Sequence, residues 1–260
     1  MGTLTATPSD FPPYVTLAIA MTGATITRVK VERLDPDGFW RTIVGGDSVP
    51  LVAGQGTTQD HEGPLDKAVQ YRASQLVPVG SEVVTSAWVT VNSNGRTYLK
   101  DMSNPTLIVE IPVVTSIATL TRNARAGVFS VIDRANPIVV STRRQGPTGE
   151  MIAHTLTDAE REQVVDILTR GVVLLLQTPP PYGFGAQYVS IGDVAEARVG
   201  LAYEQSRRWT MPFVVVDRPE GLSAPSTIVK TWQAVKDTYP TWGDLKASGK
   251  TWRQLLEDGP

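Results

Sequence analysis

The chain contains no cysteine, which excludes disulfide bonds, zinc sites with cysteine ligands and thiol nucleophiles. Histidine is scarce as well, since only His61 and His154 are present. Basic residues show no excess: 24 Lys and Arg stand against 26 Asp and Glu, for a net charge of −2. Such a balance is poorly suited to neutralising phosphates and argues against a nucleic-acid partner. The hydrophobic share of 41% is nevertheless that of a globular protein rather than a disordered one.

Long apolar runs are also missing. The run Val15–Met21 is far shorter than the roughly 20 residues that span a bilayer, and no Lys or Arg opens the chain. The sequence therefore predicts no signal peptide, no transmembrane helix, and folding in the cytoplasm of the cell that makes it. Because no covalent cross-link is available, we expect stability to come from core packing and from oligomerisation.

Residues 1–115 have the pattern of short strands joined by turns. Alternating or β-branched runs occur at Tyr14–Met21, Ala24–Leu34, Trp40–Val44, Ala68–Ala73, Glu82–Val91, Arg96–Leu99 and Thr106–Val114. Turn-forming residues separate the runs, and the Asn94-Gly95 pair suits the positive φ angles of a hairpin turn. About seven strands at this spacing predict a β-sandwich. Trp88, which lies between two apolar residues, is predicted to anchor its core.

Charge usage then changes, because residues 116–220 hold eleven Arg and no Lys. This segment has an α+β pattern, with predicted strands at Gly127–Ile132, Pro137–Arg144, Met151–His154, Val172–Gln177, Gln187–Val199 and Arg208–Val216. One helix is predicted over 158–170, since Thr157 and Glu160 form a capping box and Gly171 supplies a left-handed stop. Its apolar face is predicted to pack on the sheet of this region and consists of Val164, Val165 and Leu168, with Ile167 beside them.

Residues 221–260 contain a Thr-Trp pair that recurs every ten residues. Ten residues is not a helical period, since ten steps of about 100° miss a whole number of turns by about 80°. The repeat predicts three short helical turns, each presenting a Trp and an aliphatic residue on one side. We predict that these residues form an assembly interface: Trp232, Val235, Trp242, Leu245, Trp252 and Leu255. A carbohydrate-stacking platform is the alternative role of the three tryptophans.

No local motif brings catalytic groups together. The sequence has no Gly-x-Ser-x-Gly, no P-loop and no dinucleotide-binding glycine pattern. Asp60-His61-Glu62 has the composition of a metal or acid–base site, but consecutive strand residues point to opposite faces and cannot easily converge on one ion. We therefore expect no enzyme activity, no catalytic or metal-binding residues and no cofactor. The stretch Pro179–Tyr182 is either a polyproline ligand or, as we expect, a stiff loop between two strands.

Several motifs follow one another in an order that is typical of one family. They are Val29–Arg33, Asp37-Gly38, Gly45-Gly46-Asp47, Asp60–Pro64, Val69–Ala73, Tyr98–Asp101, Gly127–Phe129, Ile132–Arg134, Tyr188–Asp193, Arg208–Phe213 and the Thr-Trp repeats. Together they resemble the minor tail proteins of phages that infect actinobacteria, over most of residues 25–260. Two departures are His61, where the family has an aromatic residue, and Gly63, where it has Ala.

The resemblance implies a mainly β fold. A fibronectin-III-like or immunoglobulin-like sandwich would be followed by a tail-tube-like β-sandwich or split barrel with one packed α-helix, and then by a short helical tail. It further implies a structural virion protein of the phage tail tip, similar in layout to distal tail proteins. Such a protein forms a ring that connects the tail tube to the adsorption apparatus.

The partners implied by the resemblance are copies of the chain in a cyclic homo-oligomer and other tail proteins: tube, tape-measure, and baseplate or fibre proteins. No nucleic-acid specificity and no membrane insertion are expected. The alternative function is a host cell-surface module whose sandwich grips carbohydrate. Assembly into a ring without sugar favours the structural function, and a monomer that binds cell-wall polysaccharide favours the alternative.

Overall fold

The structure is a computed structural model that describes residues 2–104, 107–111, 113–116, 119–124, 126–130, 136, 138–141, 144–171, 173–201 and 203–219. The chain divides into two compact units, Met1–Leu222 and Ser223–Pro260. The second unit, which holds the predicted helical tail, lies outside the described residues. The described part is mainly β, with antiparallel sheets and a single α-helix, as the sequence predicts. None of its helices is long and apolar enough to cross a membrane.

Two sheets near the N-terminus form a β-sandwich. Its strands are β1 (Thr3–Asp10), β2 (Pro13–Ala20), β3 (Arg28–Leu34), β4 (Trp40–Thr42), β5 (Val49–Pro50), β6 (Gln55–Asp60), β7 (Gln70–Val77) and β8 (Val83–Thr85). One sheet has the order β1-β2-β6 and the other β4-β3-β7-β8, with β5 beside β3. Both sheets contribute alternate residues to one apolar cluster, the first core: Val15, Leu17 and Ile19 come from β2, and Val29 and Val31 from β3.

The sequence pattern misses three strands of the sandwich, β1, β6 and the two-residue β5, and misplaces one tryptophan. β1 alternates Thr with Leu4, Ala6 and Pro8, a weak pattern in which only Leu4 is buried, whereas β6 is mostly polar; both are held by pairing with β2. The prediction that Trp88 anchors the core is wrong, because 57% of its surface is exposed. Its neighbour Val89 pairs with Val69 and packs on the core, so strand alternation turns Trp88 outward. Tyr71, which is fully buried, lies in the core.

Nine of the remaining strands form a further sheet around the helix, which we call the second sheet, and the other two pair separately. The remaining strands are β9 (Thr97–Asp101), β10 (Ile108–Ile111), β11 (Val113–Ser116), β12 (Leu120–Thr121), β13 (Ala126–Phe129), β14 (Ile138–Ser141), β15 (Thr148–Thr155), β16 (Leu174–Gln177), β17 (Ala186–Ile191), β18 (Ala195–Arg198) and β19 (Arg207–Val215); the helix α1 is Asp158–Thr169. The order is β10-β9-β16-β17-β19-β15-β11, with β12 beside β15 and β18 beside β19, while β13 and β14 pair as a hairpin. α1 contacts β9 and β10 from one side of this order and β15 from the other, so the sheet curves around the helix.

α1 occupies the predicted segment, with a small rotation of its buried face. Thr157 accepts a hydrogen bond from the amide of Glu160 at 3.2 Å, and the Glu160 carboxylate accepts one from the amide of Thr157, which completes the predicted capping box. The buried face is centred on Val164 and Ile167, which are 1% and 0% exposed. The half-buried residues at its margin are Val165 and Leu168. Ile167 therefore belongs to the helix face that packs on the sheet, whereas the sequence predicts it beside that face.

The apolar cluster under α1 is the second core. Its fully or nearly fully buried members include Leu99, Ile111, Met151, Leu174, Leu176, Met211 and Phe213. β9 belongs to this second sheet, where it pairs with β16. This pairing joins strands from the two sides of the boundary that the sequence predicts at 115/116. The change in Lys and Arg usage near residue 116 does not reveal the pairing.

Candidate functional site

β9 joins the two cores. Its side chains alternate so that Tyr98 lies in the first core and Leu99 in the second. Lys100 follows on the same face as Tyr98 and is 1% exposed. The strand register continues this face across the sheet, because Leu175 of β16 is paired with Lys100 on one side and with Tyr188 of β17 on the other. The face of the second sheet that points away from the second core is therefore the surface that meets the sandwich.

Residues 60–64, which we call the junction segment, lie against this face and bond to both the sandwich and the second sheet. Asp60 serves the sandwich: its Oδ2 atom accepts hydrogen bonds from Arg33 Nη1 at 2.6 Å and from the Tyr71 hydroxyl at 2.9 Å. Its Oδ1 atom accepts from the amide of Glu62 at 2.9 Å. Burial alone would raise the pKa of Asp60, but the charge and hydrogen bond of Arg33 and the two other donors together hold the pKa below its ordinary value.

The rest of the junction segment binds the second sheet. Lys100 Nζ donates to the carbonyl of His61 at 2.8 Å and to that of Pro13 at 2.5 Å, which joins β9 to β2 as well. Gln177 Nε2 donates to the carbonyl of Gly63 at 2.7 Å. These bonds satisfy backbone carbonyls that would otherwise be buried without a donor, a condition that costs about 1–3 kcal/mol for each group.

Glu62 completes the contact through its carboxylate. The Tyr188 hydroxyl donates to Glu62 Oε1, and Arg218 Nη2 lies 3.0 Å from Glu62 Oε2. Burial, followed by the neighbouring Asp60 charge, raises the pKa of Glu62 above its ordinary value. Tyr188 also belongs to a small apolar cluster with Val44 and Met102, so apolar contact accompanies the polar bonds.

Burial lowers the pKa of two basic groups, His61 in the junction segment and Lys100 beside it. Burial lowers the pKa of Lys100 to about 7, against the attraction of Asp60 and Glu62. Burial likewise lowers the pKa of His61 to about 4, and the charge of Lys100 acts in the same direction. His61 is therefore neutral at pH 7, with its ring 5.2 Å from that of Tyr14. Strongly shifted pKa values accompany catalytic sites, but structural networks of buried charges produce them as well.

A cleft of about 630 Å³ opens beside the junction segment. Its charged lining is engaged in ion pairs within the chain: Arg33 Nε lies 2.5 Å from Asp35, Arg41 Nη1 lies 2.6 Å from Asp35, and Arg218 pairs with Glu62. These pairs fix the cleft wall, and Lys67 is a further cation of the lining.

The structure separates the side chains that resemble a metal or acid–base site in the sequence. Asp60 faces Arg33, Glu62 faces Tyr188, and the His61 ring lies near Gln59, with 3.2 Å between Nε2 and the amide oxygen. They diverge, but not through strand alternation, because β6 ends at Asp60 and His61 and Glu62 follow it outside the strand. Within the described residues, no group of three or more His, Asp or Glu is placed to hold a metal ion.

Other residues singled out in the sequence take ordinary positions or cannot be placed. His154 is the penultimate residue of β15, and Pro179–Tyr182 lies in the predicted connection between β16 and β17. The predicted assembly residues all lie outside the described residues: Trp232, Val235, Trp242, Leu245, Trp252 and Leu255. Sequence reasoning missed the partners of the junction segment, since Lys100 and Gln177 are far from it in the chain and belong to no local motif.

Comparison with known proteins finds one weakly similar structure and no related family. No model of a protein family matches the chain, and no curated protein matches it. Among solved structures, the chain is similar to one from the tail of an empty GTA particle, computed with helical refinement and C6 symmetry. Sequence identity is 13%, the match covers 49% of this chain and 95% of that one, and the TM-score is 0.34. A likeness of this degree does not establish a shared fold.

Proposed function

We propose that the chain is a structural protein of a phage tail tip, in which a cyclic homo-oligomer connects the tail tube to the adsorption apparatus. The observation that carries this proposal is the position of the junction segment. Residues 60–64 are one of the motifs that carry the resemblance with minor tail proteins, although His61 and Gly63 depart from the family, and they bond the sandwich to the second sheet. A motif used in this way holds the sandwich against the second sheet, and the identical subunits of a ring must each present the same surfaces.

The sheet orders supply a physical means of assembly. In the described part of the chain, β10 and β11 end the second sheet, and β1 and β6 end the smaller sheet of the sandwich. Edge strands carry backbone groups that can pair with another chain, and repeated pairing between identical subunits closes a ring when the rotation fits. The C-terminal Thr-Trp repeat would add apolar anchors, since Trp side chains often dominate interfaces.

We also propose that the chain is not an enzyme. Lys100 and Glu62 bond across the contact between the sandwich and the second sheet, and Asp60 pairs with Arg33 inside the sandwich, so their shifted pKa values have a structural cause. The pure protein should leave peptidoglycan and arabinogalactan intact. Turnover of either polymer that a single acidic substitution abolishes would contradict this proposal.

The ring is tested by measuring the mass of the purified full chain over a range of concentrations and by imaging virion tail tips. We expect a closed oligomer of defined mass and density for it at the tip. A chain that stays monomeric at high concentration and is absent from the tip would overturn the proposal.

The predicted assembly segment is tested by truncation before Thr231. We expect the truncated chain to keep both described cores folded, with a cooperative melting transition, and to lose oligomer or virion assembly. Normal assembly of the truncated chain would show that the Thr-Trp repeat is not an assembly element. Unfolding of the second core would show instead that the repeat packs within its own subunit.

A further inference from the structure

The solvent-facing side of the five-stranded sheet of the sandwich has an unusual composition. Along β3, Val29 and Val31 point into the first core, so the alternate positions Lys30, Glu32 and Leu34 belong to the opposite face. We call this opposite face of β4, β3, β7 and β8, continued to residue 88, the outer face. It carries two tryptophans together with a local excess of positive charge.

The strand register fixes where the tryptophans lie. Trp40 is paired with Leu34, and Leu34 with Gln70, so these three side chains form one row across β4, β3 and β7. Gln70 Nε2 donates to the carbonyl of Ser86 at 2.9 Å, which places the next chain segment beside it. Trp88 projects from that segment with 57% of its surface exposed. Three strand spacings separate the two tryptophans, a distance of about 14 Å.

The charges of the outer face lie directly beside this row. Glu32 accepts hydrogen bonds from Arg72 Nε at 2.7 Å and from Lys30 Nζ at 3.0 Å. The Arg72 guanidinium also lies 4.3 Å from the centre of the Trp40 ring. Arg28, one alternate position further along β3, is exposed. The described positions of this face thus carry three cations and one carboxylate, although the whole chain has a net charge of −2.

We infer that the outer face binds an acidic polysaccharide, with Trp88 as its stacking residue and Lys30, Arg72 and Arg28 as its anion contacts. An exposed indole offers a flat apolar surface on which the C–H face of a sugar ring packs, and its N–H remains available to a hydroxyl. Lys and Arg beside it complement carboxylate or phosphate groups on the polymer. A flat face with aromatic groups about 14 Å apart suits an extended chain of sugars better than a compact ligand.

Sugar binding on this face and ring assembly are measured separately: an oligomer that binds polygalacturonate agrees with both proposals, whereas a monomer that binds it favours the carbohydrate-binding alternative to the ring. A single-stranded nucleic acid also stacks on aromatic residues and contacts cations. Three cations, one carboxylate and the overall negative charge favour a polymer with a lower charge density. A second copy of the chain is the other possible occupant, and the experiment below separates the three.

The test measures binding of the full chain to polygalacturonate, to neutral dextran and to a single-stranded oligonucleotide, by calorimetry or affinity electrophoresis. We expect binding to polygalacturonate that weakens with salt, and little binding to the other two. Trp88→Ala should weaken polygalacturonate binding about tenfold. Lys30→Gln should weaken it about threefold and reduce its salt dependence. Tyr203→Ala is the matched control, since Tyr203 is 81% exposed and lies outside this sheet.

Several results would overturn the inference. These are the absence of polygalacturonate binding, equal binding of dextran, tighter binding of the oligonucleotide, and unchanged binding by Trp88→Ala. A change of oligomer mass in Trp88→Ala without a change in sugar binding would assign the face to a contact between copies. Melting curves of the variants control for folding, and Lys30→Gln remains an independent arm if Trp88→Ala melts early, because Arg72 still pairs with Glu32.

Discussion

The two cores and the junction between them are built on opposite principles. Each core is an apolar cluster filled by alternate residues of strands, with α1 added to the second. The junction buries an aspartate, a lysine and a histidine among hydrogen bonds. A core tolerates exchange among apolar residues of similar size, whereas each buried polar group requires a particular partner in a particular place. The difference teaches that the cores provide most of the stability, while the junction specifies how they are joined.

The largest effect should come from breaking the junction at its buried carboxylate. Asp60→Ala leaves the Arg33 guanidinium buried with only part of its compensation, so we expect a loss of about 3–5 kcal/mol in the free energy of unfolding. Urea unfolding measures the loss. Glu110→Ala is the matched control, because it removes an exposed ion pair with Arg96 and should cost less than about 1 kcal/mol. Similar losses in the two variants would mean that the buried pair of Asp60 and Arg33 stabilises the chain no more than an exposed ion pair does.

A core substitution should cost nearly as much but for a different reason. Ile167→Ala empties space under α1, where the side chain is fully buried, and should destabilise the chain by about 3 kcal/mol. Leu168→Ala, at the half-buried margin, should cost roughly half as much. Chemical unfolding of both variants checks the order. A larger loss for Leu168→Ala would restore the helix face that the sequence predicts and contradict the rotation seen in the structure.

Acid should lower the free energy of unfolding through the buried His61 of the junction segment. The pKa of His61 is lowered from 6.5 to about 4 by burial, so between these values the unfolded chain binds a proton that the folded chain does not. Stability is therefore complete above pH 6.5 and falls as the pH drops toward 4, by about 3 kcal/mol at most from this group. Glu62, whose pKa is raised, acts with the opposite sign in part of this range.

The contribution of His61 is isolated by comparison with a variant. The difference in unfolding free energy between the natural chain and His61→Gln should shrink or reverse between pH 6.5 and 4, while Asp60, Glu62 and Lys100 are common to both chains. Equilibrium unfolding at several pH values measures it. A constant difference across the window would show that the imidazole is protonated freely in the folded chain.

Sequence reasoning reached the cores more readily than the junction. The capping box of α1, the loop at Pro179–Tyr182 and most strands follow from local patterns, because periodicity and caps are encoded within a few residues. β1 and β6 escape such reasoning, since β1 has only one buried apolar residue, Leu4, and β6 is mostly polar, so their place is set by pairing with β2. The junction escapes it for a further reason. Lys100 and Gln177 meet residues 60–64 only through the fold, so no spacing in the sequence reveals the contact.

The smallest effect tests whether the junction is one cooperative network or a set of separate bonds. Tyr188→Phe removes only the hydroxyl that donates to Glu62 and keeps the ring in its apolar cluster, so we expect a loss of about 1.5 kcal/mol. Tyr182→Phe is the matched control, because Tyr182 is 44% exposed and should change stability by less than about 0.5 kcal/mol.

The decisive measurement is the double variant Tyr188→Phe with Asp60→Ala, unfolded in urea beside the two single variants. If the junction segment acts as one network, the first loss already loosens the contact, and the two losses sum to more than the double variant shows. Additive losses would mean that the bond from Tyr188 to Glu62 and the bond from Arg33 to Asp60 fail independently. The junction segment would then be two adjacent contacts, one within the sandwich and one with the second sheet, rather than a single network.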